Sequence, residues 1–241
     1  MRMAETSYEY INAVSHELRT PLTGMRGFLE VLLTSQQQPL PPPQQRMLTL
    51  VNQCSLRLEN AIEDLLVLAE ARVTGLPLVR APVAMEPLIA RTVRTARHAW
   101  PTAAVEIVVD VPDGTPTLFA DPRRLERAIT NLMGNAVKFS PNGGMVAVRC
   151  IVDAPDEVSV SVQDQGIGIP VAEQRQLFQR LFNASNAVDA GLCGPGLGLH
   201  VAKVIAEAHG GWIAVTSMPG LGTTATVTLP AVTAEQPRAP S

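Results

Sequence analysis

The sequence predicts two architectures in series: an all-α helical hairpin over residues 1–76, then a domain of mixed helices and strands over 77–230, followed by a disordered tail at 231–241. Three observations predict this. Apolar residues recur at spacings of 3 and 4 through two long stretches, which is the pattern of a bundle seam. A proline-rich segment separates those stretches. Beyond residue 82 the pattern changes to short β-branched runs, glycine turns and shorter helices.

The first helix reads from Glu5 to about Gln36. Ile11, Val14, Leu18, Leu22, Met25, Leu29 and Leu32 follow one another at 3, 4, 4, 3, 4 and 3 residues. Pro39, Pro41, Pro42 and Pro43 mark a turn over 36–44, since no helix interior tolerates them. The second helix reads from Gln44 to about Arg72, with Met47, Val51, Cys54, Leu58, Ile62, Leu65 and Ala69 as its seam. A lone hairpin buries little, so a homodimer forming a four-helix bundle is the economical way to cover both seams. Residues 73–82, with Gly75, Pro77 and Pro82, read as a linker.

In the second domain a helix is predicted over 86–99 and a strand over 105–111. Asp113-Gly114 is a turn, and 118–120 a short strand. Asp121 caps a helix with Pro122 at its first position and Leu125, Ile129, Leu132, Met133 and Ala136 inward. Strands follow over 145–152 and 158–162. Glycine-rich loops span 164–170 and 191–198, the second running into a helix over 199–208. Closing strands are predicted over 212–217 and 223–229.

Composition sets bounds on function. Hydrophobic residues make up 46% of the 241, enough for a real core, and the net charge of −3 provides no footprint for nucleic acid. Cys54, Cys150 and Cys193 have no metal-ligand spacing and fit a reducing compartment. No run has the length of a membrane span, so the chain reads as cytoplasmic, alone or as part of a larger or membrane-bound protein.

Five stretches carry chemistry. Ser15-His16-Glu17-Leu18-Arg19-Thr20-Pro21 lies on the first helix. His16 falls between Val14 and Leu18 and so points away from the seam; Thr20, four residues on, shares its face. Pro21 frees the carbonyl of Glu17 and should kink the helix there. Taken alone, the stretch reads equally as a solvated helix face. Asn131, Asn135 and Lys138 share a face of a later helix. An amide oxygen suits Mg²⁺ and an ammonium suits phosphate, though a plain polar face has the same pattern. Asp164-Gln-Gly166-Ile-Gly168 follows a strand; its carboxylate can accept from a purine amino group. Leu177 to Phe182 reads as an amphipathic turn of helix. Gly194-Pro-Gly196-Leu197-Gly198 opens a helix whose unhindered N–H groups suit phosphate. No Lys-Ser/Thr follows, so it is not a Walker A loop.

In this order the stretches resemble the kinase core of two-component sensor histidine kinases. Residues 5–72 resemble the dimerisation and phosphoacceptor hairpin, with 15–21 as its H box. Residues 80–230 resemble the ATP-binding domain shared with gyrase, heat-shock chaperones and mismatch-repair proteins, with N box at 131–140, G1 at 164–168, F box at 178–182 and G2 at 194–199. The resemblance implies an α/β sandwich with a mixed sheet, an ATP lid at about 183–194, and ATP with Mg²⁺ as cofactors. It implies His16 as phosphoacceptor, Glu17 as its hydrogen-bonding partner and Thr20 as the residue that orients water for dephosphorylation. Asn135 would hold the metal. Asn131, Lys138, Gly196 and Gly198 would serve the phosphates, Asp164, Gly166 and Gly168 the adenine, and Arg180, Gly194, Leu197 and Thr223 would also bind ATP. The implied partners are a second copy of the chain and a response regulator receiver domain, with no nucleic acid.

Departures from the family pattern sharpen the expectation. An aromatic is frequent where Leu181 stands, and an arginine where Asn183 stands. Residues 181–202 hold no Lys or Arg, so charge neutralisation should fall to Mg²⁺, Lys138 and backbone N–H groups, and Asn183→Arg should restore a missing charge. His200 reads as a helix-surface histidine, and His98 and His209 have no motif around them. Two rival readings are an ATP-driven conformational machine, against which the exposed His16 argues, and a kinase-impaired scaffold that only binds a regulator.

Overall fold

The structure, a computed structural model, describes residues 2–34, 40–100, 104–154 and 156–231. The expected tail lies outside the described residues, except for Ala231. The chain divides into two compact units, Met1–Gly75 and Leu76–Ser241.

The first unit is a hairpin of α1 (Arg2–Thr34) and α2 (Pro42–Thr74). Pro21 lies inside α1 without ending it. The proline-rich stretch is partly helical, contrary to the expected start at Gln44. Pro42 and Pro43 occupy the first turn, where a missing N–H has no intrahelical acceptor to lose, and Gln45 N closes the turn on the Pro41 carbonyl at 3.0 Å. Arg26 pairs with Glu59 at 2.7 Å, and Arg19 with Glu63, which fixes the helices as antiparallel. Leu22, Leu29, Ile62, Leu66 and Ala69 are buried, while Leu18, Met25, Leu32, Met47, Val51, Leu58 and Leu65 remain exposed. Part of each predicted seam is therefore uncovered within one hairpin.

The second unit is built on a mixed five-stranded sheet, as the sequence led us to expect. Its strand order is β2 (Val105–Asp110), β4 (Gly144–Ala154), β5 (Glu157–Gln163), β7 (Gly222–Pro230), β6 (Trp212–Met218). Only β2 and β4 run parallel; the other pairs are antiparallel. In register, Val148 lies beside Val162 and Cys150 beside Val160; Val158 pairs with Leu229 and Val160 with Val227. Alternate residues of adjacent strands thus form one apolar face. Against it lie α4 (Pro122–Lys138), burying Leu125, Ile129, Leu132 and Met133, and α6 (Gly198–Ala208), burying Val201, Ala202 and Ile205. A further helix, α3 (Met85–Ala99), packs on α4. The predicted linker ends in a strand: β1 (Ala81–Val83) pairs with β3 (Leu118–Ala120). Three residues with a central proline are too few to show a strand pattern in sequence.

Two residues fix the start of α4. Asp121 Oδ1 accepts from the N–H groups of Arg123 and Arg124 at 3.0 and 3.1 Å, and Oδ2 from Val79 N at 2.9 Å. His209, just past the end of α6, accepts from Asp121 N through Nε2 at 3.0 Å and donates from Nδ1 to the Ile205 carbonyl at 2.8 Å. Both nitrogens are committed with one proton between them, so the ring is neutral. Burial, the largest influence, holds its pKa below the ordinary histidine value.

Candidate nucleotide site

α4 places Asn131, Asn135 and Lys138 on one half-buried face. The first residue of α6 packs against it: a Cβ on Gly198 would lie 3.6 Å from Asn131 Cγ and 3.8 Å from Asn135 Nδ2. Leu197, buried just before, supplies no side-chain cap, so the first N–H groups of α6 are left to a ligand or water. Lys138 Nζ reaches the loop before α6, where a Cβ on Gly194 would come within 2.7 Å of it. Asn131, Asn135, Lys138, Gly194 and Gly198 are thus brought together from two parts of the chain.

Asp164 follows β5 and is 6% exposed. Its Oδ1 accepts from Gly166 N at 2.9 Å and from Thr223 N at 3.1 Å, while its own N–H donates to the Thr223 carbonyl at 2.8 Å. Thr223 therefore sits at the carboxylate as a backbone partner. Burial raises the Asp164 pKa above the usual aspartate value, and the two N–H groups oppose that rise. The glycines beside it have a protein-side cause. A Cβ on Gly166 would meet the Phe139 carbonyl oxygen at 2.1 Å, and one on Gly168, where φ is +62°, would meet that of Met218 at 2.1 Å. Both are required by close backbone approach.

The F-box stretch differs from its expected helical form. A 3₁₀ helix covers Val171–Gln176, and residues 177–181 form a turn in which Leu181 adopts φ +61°. A bulky residue in that left-handed region is strained. The turn is tied to the second glycine loop: Leu181 N donates to Gly196 O at 3.1 Å, and a Cβ on Gly196 would strike Leu181 and Phe182 backbone at 2.7 Å. Asn183 clamps the same loop. Its Nδ2 donates to Gly194 O at 3.0 Å, and its Oδ1 accepts from Gly194 N at 3.2 Å.

The expected lid contains a short helix, α5 (Ser185–Asp189). Glu173 accepts from Ser185 N at 2.8 Å and Ser185 Oγ at 2.5 Å, and these bonds hold its carboxyl below the usual range. Asn186 Nδ2 donates to the Gly168 carbonyl at 2.9 Å. The sequence reading missed Glu173 and Asn186, because lone polar residues in a loop carry no spacing signal. His200 lies half-buried on α6, where it bonds both Phe178 O and Arg180 Nε.

Glu17 and Thr20 lie on α1, exposed. The side chains of Ser15 and His16 lie outside the described residues. Among the described residues no helix is long and apolar enough to cross a membrane.

A buried carboxylate behind a glycine loop, an amide-bearing helix and an uncapped helix start suit the second unit, which follows a helical hairpin, to nucleotide binding. Comparison with known proteins agrees. Residues 8–72 match the family described as His Kinase A (phospho-acceptor) domain, and residues 120–233 match Histidine kinase-, DNA gyrase B-, and HSP90-like ATPase. The circadian input-output histidine kinase CikA of Synechococcus elongatus is 33% identical over 96% of this chain and 31% of its own length. The sensor histidine kinase WalK of Bacillus subtilis is 34% identical over 95% of this chain and 37% of its own length. The structure of full-length ShkA in complex with AMPPNP superposes with a TM-score of 0.69 at 28% identity, over 95% of this chain and 47% of that one. The chain thus joins a His Kinase A (phospho-acceptor) domain to a Histidine kinase-, DNA gyrase B-, and HSP90-like ATPase domain, and it spans under two fifths of the length of either curated relative.

Proposed function

We propose that this chain is an ATP-dependent protein-histidine kinase that phosphorylates its own His16 and passes the phosphoryl group to an aspartate of a response regulator receiver domain. The observation that carries the reading is the junction of Gly198 with Asn131 and Asn135, with Lys138 against Gly194. It gathers N–H groups, amides and an ammonium where a triphosphate would lie. Asp164 Oδ1 already holds two backbone donors, which leaves Oδ2 to accept from the adenine amino group.

In the transfer, a lone pair on one His16 nitrogen attacks the γ-phosphorus. The bond from phosphorus to the bridging oxygen breaks, and ADP departs with that electron pair. The Glu17 carboxylate accepts a hydrogen bond from the other ring nitrogen and sets the tautomer. Thr20, one turn on, orients a water for removing phosphate from the regulator. Lys138 and the first N–H groups of α6 hold the phosphates in place, so catalysis is mainly positioning and charge neutralisation.

Mg²⁺ fits this site. The space left by the missing Cβ of Gly198 opens onto the amide of Asn135, a hard donor group. No group of three or more His, Cys, Asp or Glu that could hold a metal lies among the described residues, which suits an ion held mostly by substrate phosphates and water. The ion would supply charge neutralisation at the β- and γ-phosphates, with Asn135 as its protein ligand. A homodimer through the hairpin accounts for the exposed Leu18, Met25, Leu58 and Leu65.

The test is incubation with γ-labelled ATP and Mg²⁺. Label that is lost in acid, kept in alkali and absent from His16→Gln supports the proposal. Acid-stable label that persists in His16→Gln refutes it.

A further inference from the structure

One imidazole joins the F-box turn to α6 and has no part in the reaction as described. His200 is the third residue of α6 and is half-buried. Its Nδ1 lies 2.8 Å from the Phe178 carbonyl oxygen, and its Nε2 lies 3.2 Å from Arg180 Nε. A carbonyl only accepts, so Nδ1 carries the proton. Arginine only donates, so Nε2 presents its lone pair to Arg180. The two contacts demand one tautomer of a neutral ring, and they agree with each other. Burial also favours the neutral ring and lowers its pKa; Phe178 O and Glu207 oppose this, while Arg180 and Lys203 reinforce it. Those three charged side chains surround the ring, with Lys203 5.5 Å from the Phe178 ring centre and 3.7 Å from Glu207.

Arg180 occupies a critical place. It is the last cationic residue before Lys203, because residues 181–202 contain none. Its neighbour Leu181 is bonded to Gly196, two residues before α6 begins. The bond to His200 brings the Arg180 side chain to the first turn of the same helix.

We infer that His200 is a positioning residue: its neutral ring holds the Arg180 guanidinium beside the first turn of α6, where that charge serves the triphosphate. The inference rests on the reading of that turn as the phosphate site. Protonation of Nε2 would replace the acceptor with a donor and set two cations against each other.

The test is a mutant cycle of His200→Leu, Arg180→Ala and the double variant, read at pH 8 and pH 6. Autophosphorylation gives kcat/KM, and calorimetry gives ATP affinity in parallel. His200→Leu should lower kcat/KM about tenfold to a hundredfold at pH 8, the effect of losing one hydrogen bond to a charged group. Arg180→Ala should cost at least as much, and His200→Leu should then add nothing to it. His200→Gln, whose amide oxygen still accepts from Arg180, should recover most of the activity and lose the acid limb of the wild-type profile. An equal effect of His200→Leu with and without Arg180 would overturn the inference, as would an Arg180→Ala variant identical to wild type. If the wild type takes up no label, the kinase reading fails by itself. The calorimetric cycle then decides the inference: coupling between the two residues upholds it and additivity overturns it.

Discussion

Asp164 illustrates how a single residue can trade stability for function. Burial raises its folded pKa, so its contribution to stability is fully present below the ordinary aspartate value and is lost as pH rises through the raised one. Asp164→Asn keeps an oxygen for Gly166 N and Thr223 N without the buried charge. It should raise the melting temperature of the ligand-free protein at neutral pH and weaken ATP binding about tenfold to a hundredfold by calorimetry, since the adenine amino group loses a charged acceptor. Unchanged affinity would remove Asp164 from the adenine site. His209 works with the opposite sign. Its folded pKa lies below 6.5, so its contribution is present above that value and is lost as pH falls through the folded one. His209→Ala should cost about 1–3 kcal/mol at pH 8 in urea melts by leaving Asp121 N–H unpaired, and should flatten the acid side of the stability profile. The two residues differ in how legible they are. Asp164 stands in a local Asp-x-Gly-x-Gly pattern, whereas the partner of His209 lies 88 residues away and no pattern connects them.

At the scale of elements, the long helices and the central strands were readable because their apolar periods are long and regular. β1 was not, and neither was the non-helical turn at 177–181 in place of an amphipathic turn of helix, because β1 depends on pairing with β3 and the turn on its bond to Gly196. The glycines of the nucleotide loops were legible as glycines but not as to cause: Gly166 and Gly168 answer to the Phe139 and Met218 carbonyls. The lid gives the clearest revision. Asn183 is a two-bond clamp on Gly194, so Asn183→Arg exchanges that clamp for a charge. Autophosphorylation should show no gain in this variant, and amide exchange at Gly194 should speed up markedly. A tenfold faster reaction with unchanged exchange would show that the clamp is dispensable and that the lid simply lacks a cation.

For the whole molecule, the order of motifs along the chain made the reading possible, since each motif alone is weak. The same order predicts an assembly. The exposed apolar residues of α1 and α2 need cover, and a second hairpin supplies it. The chain should sediment as a dimer at micromolar concentration, and Met25→Glu with Leu58→Glu should yield monomers; a wild-type monomer would remove the four-helix bundle. The central claim is that the nucleotide unit serves the histidine on the hairpin. The chain has four histidines, at 16, 98, 200 and 209, so the claim can be located on a single residue. The most direct measurement is mass spectrometry under alkaline conditions, using electron-transfer fragmentation after reaction with ATP and Mg²⁺. The account predicts phosphohistidine at position 16, within the tryptic peptide 3–19, and none in a sample carrying Asn135→Ala. Phosphate on another histidine, or an unmodified 3–19 peptide in a protein that binds ATP, would contradict it.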